Sequence, residues 1–121
     1  MTQRLVEEIP EKIAAFASVI YSKSENSICT KSNEAVSGLF MNGTMDPLVP
    51  YNSGQILNNR GEVKSTDESI QYWVERNQTE TSPIIEMLED ISVSDNSIVE
   101  KSTYSNGLND SEVVLYKIIG G

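Results

Sequence analysis

The chain has no histidine in its 121 residues and a single cysteine, Cys29. Without histidine it cannot by itself build a Ser-His-Asp triad, a Cys-His dyad or a His-ligated metal site. One thiol forms no internal disulfide, and thiolate-only zinc sites need about four. With neither a His nor a CxxC partner, Cys29 reads as a half-buried small apolar residue or as one half of a disulfide to a segment outside these residues. Positive charge is also scarce: nine Lys and Arg face eighteen Asp and Glu, a net charge of −9. That balance argues against nucleic acid and against an anionic membrane surface, since both recruit basic residues. No apolar run approaches the roughly 18 residues of a membrane-spanning helix. No calcium-loop spacing occurs, and no cofactor is implied. The N-terminus lacks the apolar stretch of a signal peptide and reads as the inside of a helix.

What is present is a succession of short apolar runs between turn-forming clusters. Residues 2–9 predict a helix with Leu5, Val6 and Ile9 on its apolar side, stopped by Pro10. Ile13–Tyr21 is apolar on both faces and fits a buried strand of a parallel sheet, with a buried helix as the competing reading. Val36–Asn42 predicts a second, ending in the turn formers Asn42-Gly43-Thr44-Met45-Asp46-Pro47. Ser65 followed by Glu68 has the capping-box form, opening a helix to about Arg76 with Ile70, Trp73 and Val74 on one face. Ile84–Leu88 fits a short strand or a helical turn. Ile98–Thr103 alternates weakly, and Glu112–Ile119 predicts a third apolar strand. The order predicts an α/β fold with three buried strands in parallel, flanking helices and a short antiparallel strand, all in a single domain. Open strand edges in such a sheet invite strand-edge association or a homo-oligomer.

Asp46 stands out among the polar residues. It follows a buried strand in a loop stiffened by Pro47 and Pro50, where sites assemble in parallel sheets. It reads either as the cap of an Asx turn or as a fixed carboxylate able to orient an imidazole. Tyr51 reads as packing on the same loop or as lining a substrate pocket. Glu86, Glu89, Asp90 and Asp95 read as a solvated acidic face. Ser18 and Ser37 have neither a base nor elbow glycines beside them.

The segment Gly43-Thr44-Met45-Asp46-Pro47-Leu48-Val49-Pro50-Tyr51 resembles the GTxDxxVPY segment of α/β-hydrolase-fold esterases of the polyhydroxybutyrate-depolymerase and feruloyl-esterase type. Other parts agree in order. Met1–Leu5 resembles the helix after that family's Gly-x-Ser-x-Gly elbow, and Ile13–Ile20 its next strand. Trp73 and Asn77 are similar to a helix ending in W-x-x-x-N. Val113–Gly121 resembles the strand leading into a Gly-Gly-Gly-His-x-Trp-Pro segment. The resemblance implies a partial α/β-hydrolase fold, with residues 1–121 as the C-terminal half of the catalytic domain. It implies Asp46 as triad acid, the nucleophile Ser before Met1, the general-base His after Gly121, and an ester as substrate of the complete protein. It implies an extracellular or periplasmic setting. The family often has a second cysteine near the end of the Trp73 helix, where this chain has Asn77-Gln78-Thr79, so the resemblance supplies no partner there for Cys29. The alternative reading is a non-catalytic acidic module for binding or assembly.

Overall fold

A computed structural model describes residues 2–24, 34–58 and 61–121. Cys29 lies outside them. Helix α1 (Thr2–Glu8) leads through a 3-10 turn (Pro10–Lys12) into strand β1 (Ala15–Val19). Strand β2 (Ser37–Gly43) follows, then the short strands β3 (Gly54–Gln55) and β4 (Glu62–Val63), which pair with each other. Helix α2 (Thr66–Asn77), strands β5 (Ile84–Met87) and β6 (Ile98–Tyr104), a 3-10 turn (Leu108–Asp110) and strand β7 (Val113–Ile119) complete the order.

The main sheet has five strands in the order β1-β2-β7-β6-β5. β1, β2 and β7 run parallel, whereas β7–β6 and β6–β5 are antiparallel. This corrects the expected fold class. The structure is a mixed, strand-rich sheet with two short helices, not a three-stranded parallel α/β half-sheet. The physical reason lies in β5 and β6. They pair through the backbone ladder and one exposed ion pair, Lys101–Glu86, and bury little: β5 is exposed along its length, and β6 buries only Ser102. A reading built on apolar runs gives such strands little weight, yet the ladder from Ile98–Ile119 to Tyr104–Val113 is continuous.

Both helices sit on one face of the sheet. Phe16, Phe40, Val113 and Leu115 point into that side and meet Val6, Ile70, Trp73 and Val74. The alternation of β2, buried at Gly38, Phe40 and Asn42, is the period-2 pattern of a sheet covered on one side. Phe16 meets Phe40 edge to face at 5.5 Å and lies 4.7 Å from Trp73. Gly38 makes room for this cluster, since a Cβ there would fall 2.7 Å from the Phe16 ring. β1 is not the buried strand expected of Ile13–Tyr21: only Phe16 is buried, and Val19 and Ile20 are exposed. In α1 the buried residues are Gln3, Val6 and Glu7, while Leu5 faces solvent. Glu7 on that face is held by an ion pair: Lys23 Nζ lies 2.8 Å from Glu7 Oε1, and the Tyr72 hydroxyl donates to the same oxygen at 2.7 Å.

The capping box forms as its residues predict. Ser65 Oγ accepts from Glu68 N, and Glu68 Oε2 accepts from Ser65 N. Ser65 Oγ also donates to Glu68 Oε2 at 2.8 Å, and this bond, then the one from Ser65 N, holds the exposed Glu68 carboxyl below the usual carboxylate range.

Candidate active site

Asp46 lies three residues past the carboxyl end of β2, in the bend that the turn-forming residues impose. Its Oδ1 accepts from Leu48 N at 2.7 Å and Val49 N at 2.9 Å. This is the Asx geometry that a carboxylate ahead of a proline adopts. Oδ2 has no hydrogen-bond partner among the described residues. Asp46 is half-buried, so the carboxylate is fixed through one oxygen and open at the other. The two readings of Asp46 are therefore compatible in one geometry.

The carboxyl end of β7 abuts this bend. Thr44 N donates to Ile118 O at 2.9 Å, Gly120 N donates to Thr44 Oγ1 at 3.0 Å, and Met45 N donates to Gly121 O. Gly43 permits the approach, because a Cβ there would lie about 2.5 Å from the Gly121 carbonyl oxygen. Residue 121 thus sits against the backbone one residue before Asp46.

Tyr51 closes the other side. It is buried, shares a tight recess with Ile20, Asn42, Gly43, Asp46 and Val49, and donates its hydroxyl to Asp67 Oδ1 at 3.2 Å. Burial, then the Asp67 charge, pushes its ionisation well above the ordinary tyrosine range, so it is a neutral hydroxyl here. Its carbonyl accepts from Thr66 N at 2.8 Å, which ties the proline loop to the start of α2. Lys117 Nζ stands 5.4 Å from the Tyr51 ring centroid. The recess has no room for a water molecule, so Tyr51 acts on the loop as packing and anchor in this arrangement.

Asn42 is the functional-site support that the residue-by-residue reading missed. It is buried at the last turn inward of β2. Its Nδ2 donates to Thr66 Oγ1 at 2.8 Å and to Tyr21 O, and its Oδ1 accepts from Tyr21 N at 2.9 Å. One amide thereby joins the ends of β1 and β2 to the first turn of α2. The available signal was a lone polar side chain in the inward phase of an apolar strand, at 38, 40, 42.

Chemically, the site offers an oriented acceptor and nothing that attacks. Ser37 Oγ is engaged by Glu112 N at 3.1 Å, and Ser18 lies on β1 in a chain without histidine and has no side-chain hydrogen bond to a base among the described residues. Glu86, Glu89, Asp90 and Asp95 are exposed, far along the sheet, and no group of three or more metal-ligating side chains gathers among the described residues. No helix among them is long and apolar enough to cross a membrane. No protein-family model, curated protein or solved structure matches this chain.

Proposed function

We propose that residues 1–121 are part of a serine ester hydrolase, to which they contribute the orienting acid, Asp46. The nucleophilic serine and the general-base histidine come from outside these residues. The observation that carries the reading is the asymmetric anchoring of Asp46. Two backbone N–H groups fix Oδ1, and Oδ2 is left to accept a further hydrogen bond. An acid that holds an imidazole in one tautomer and stabilises the imidazolium needs that arrangement. The position of Gly121 supports it: a residue shortly after it would emerge beside the Asp46 bend. So does the GTxDxxVPY resemblance of Gly43–Tyr51. The substrate is a carboxylic ester, of a hydroxyacid polymer, a feruloylated sugar or a simple acyl group, and the chemistry needs no metal.

The side of the sheet away from the helices carries Leu39, Met41, Val114, Tyr116 and Ile118, each half-buried, and neither helix packs on it; an apolar face of that kind agrees with a chain that has further structure around it. The reading is tested by the coding frame and by hydrolysis. The frame should run upstream through Gly-x-Ser-x-Gly and downstream through a histidine, and residues 1–121 alone should not hydrolyse p-nitrophenyl butyrate above background. Turnover by 1–121 that Asp46→Ala abolishes refutes it.

A further inference from the structure

The sheet has a second open border, far from Asp46, at β5. Leu88 N donates to Val99 O at 2.9 Å, which makes Leu88 and Val99 a hydrogen-bonded pair in the β5–β6 register. Antiparallel pairs alternate, so Ile84 and Glu86 also turn their backbone groups toward β6. Ile85 and Met87 therefore turn their N–H and C=O outward to solvent. Such a row is a template for another strand. Three of its four side chains are apolar and uncovered: Ile84 is 63% exposed, Ile85 58% and Met87 55%, with Ile91 and Val93 exposed just beyond.

We propose that β5 is a docking edge for an extended segment of a partner protein in which apolar and basic residues alternate. Charge selects that partner. Between Gln78 and Glu100 the chain carries Glu80, Glu86, Glu89, Asp90, Asp95 and Glu100 and no Lys or Arg. Lys101, at 2.8 Å from Glu86, offsets one of these six. Ile85 and Met87 share the helix-bearing side of the sheet, where an incoming strand lays its apolar side chains. Ile84 and Glu86 share the other, where basic side chains meet the acidic field.

A second copy of this chain fits poorly. Two-fold antiparallel pairing of β5 has three registers that use its outward groups. Pairing Ile85 with Met87 sets Glu86 directly against its own copy. Pairing Ile85 with Ile85 sets Met87 against Pro83, which has no N–H to give. Pairing Met87 with Met87 sets Ile85 against Glu89 and Ile84 against Asp90, beyond the end of the strand. The net charge of −9 opposes all three.

The test uses residues 1–121 with a dye-labelled peptide, Lys-Val-Lys-Val-Lys-Val-Lys, followed by fluorescence anisotropy. Saturable binding is expected, weakening with added salt, and the Glu-Val analogue should not bind. Met87→Pro deletes an outward N–H and no ladder bond, and should raise Kd at least tenfold. Independently of any variant, saturating peptide should slow hydrogen exchange at the Ile85 and Met87 amides at least tenfold and leave Ile84 and Glu86 nearly unchanged. The proposal is overturned by no saturation up to millimolar peptide, by equal binding of the acidic analogue, or by slowing at Ile84 and Glu86 instead. Equal binding by a folded Met87→Pro chain overturns it too, as does a peptide-free dimer that this substitution dissociates. None of these outcomes depends on the esterase reading.

Discussion

Replacing Lys23 by Met removes the ammonium that faces the buried Glu7 carboxylate. Nζ and Oε1 are 2.8 Å apart, and the two side chains are 9% and 3% exposed. Nζ also lies 3.8 Å from the centroid of the Tyr72 ring, whose hydroxyl donates to the same Oε1. Removing one member of a buried pair strands the other, at about 3–5 kcal/mol. Unfolding entropy of about 2.1 cal/mol/K per residue over this chain converts each kcal/mol into about 4 °C, so Tm should fall by about 12–20 °C. Replacing both partners, Glu7→Gln with Lys23→Met, should recover most of the loss, because no uncompensated charge is left and similar volume is retained. Thermal and urea unfolding by circular dichroism, run as a double-mutant cycle, reads both numbers. If Lys23→Met costs less than about 1 kcal/mol, in the range of a surface pair, the ion pair does not clamp α1 as described. The same holds if the double variant is no better than the single.

Two further outcomes follow from buried polar contacts. Asn77 accepts from Val36 N at 3.2 Å and donates to Val36 O at 2.9 Å, both residues being buried. Asn77→Ala leaves both backbone groups unmet at about 1–3 kcal/mol each, and the urea midpoint should fall accordingly with an unchanged slope. Tyr72 is pushed up to about 12, chiefly by burial and then by its bond to Glu7. A phenol raised in the fold favours the folded state below its unfolded pKa of about 10, and that contribution is lost as pH rises toward about 12. Stability should decline across that window, and less steeply in Tyr72→Phe; identical alkaline profiles would contradict the assignment.

How far the sequence spoke depended on how strongly each element is coupled to burial. α2 was legible to within a residue because Ser65, Glu68 and the Ile70, Trp73, Val74 face act locally. β2 and β7 were legible as apolar runs closed by turn formers and glycines. β1 misled: its apolar residues are continuous, but Ala15, Ala17 and Val19 face open solvent, so composition without a partner layer overstated its burial. β5 and β6 were understated for the opposite reason, since long-range backbone pairing leaves little trace in hydropathy. In the site, the Asp46 bend was readable from Asp-Pro chemistry. The Asn42 clamp was not, because its partners Tyr21 and Thr66 lie 21 and 24 residues away. The Glu7–Lys23–Tyr72 cluster was hidden in the same way, as charged residues on a short helix ordinarily face water.

The most direct measurement is the turnover of p-nitrophenyl butyrate by residues 1–121 carried, as proposed, between a Gly-x-Ser-x-Gly elbow and a histidine in their reading frame, compared with the Asp46→Asn variant. An acid that orients the imidazole predicts a fall in kcat of roughly 10⁴ with KM little altered. A fall of less than about tenfold, or a complete reading frame with no serine elbow before this segment and no histidine after it, would contradict the account.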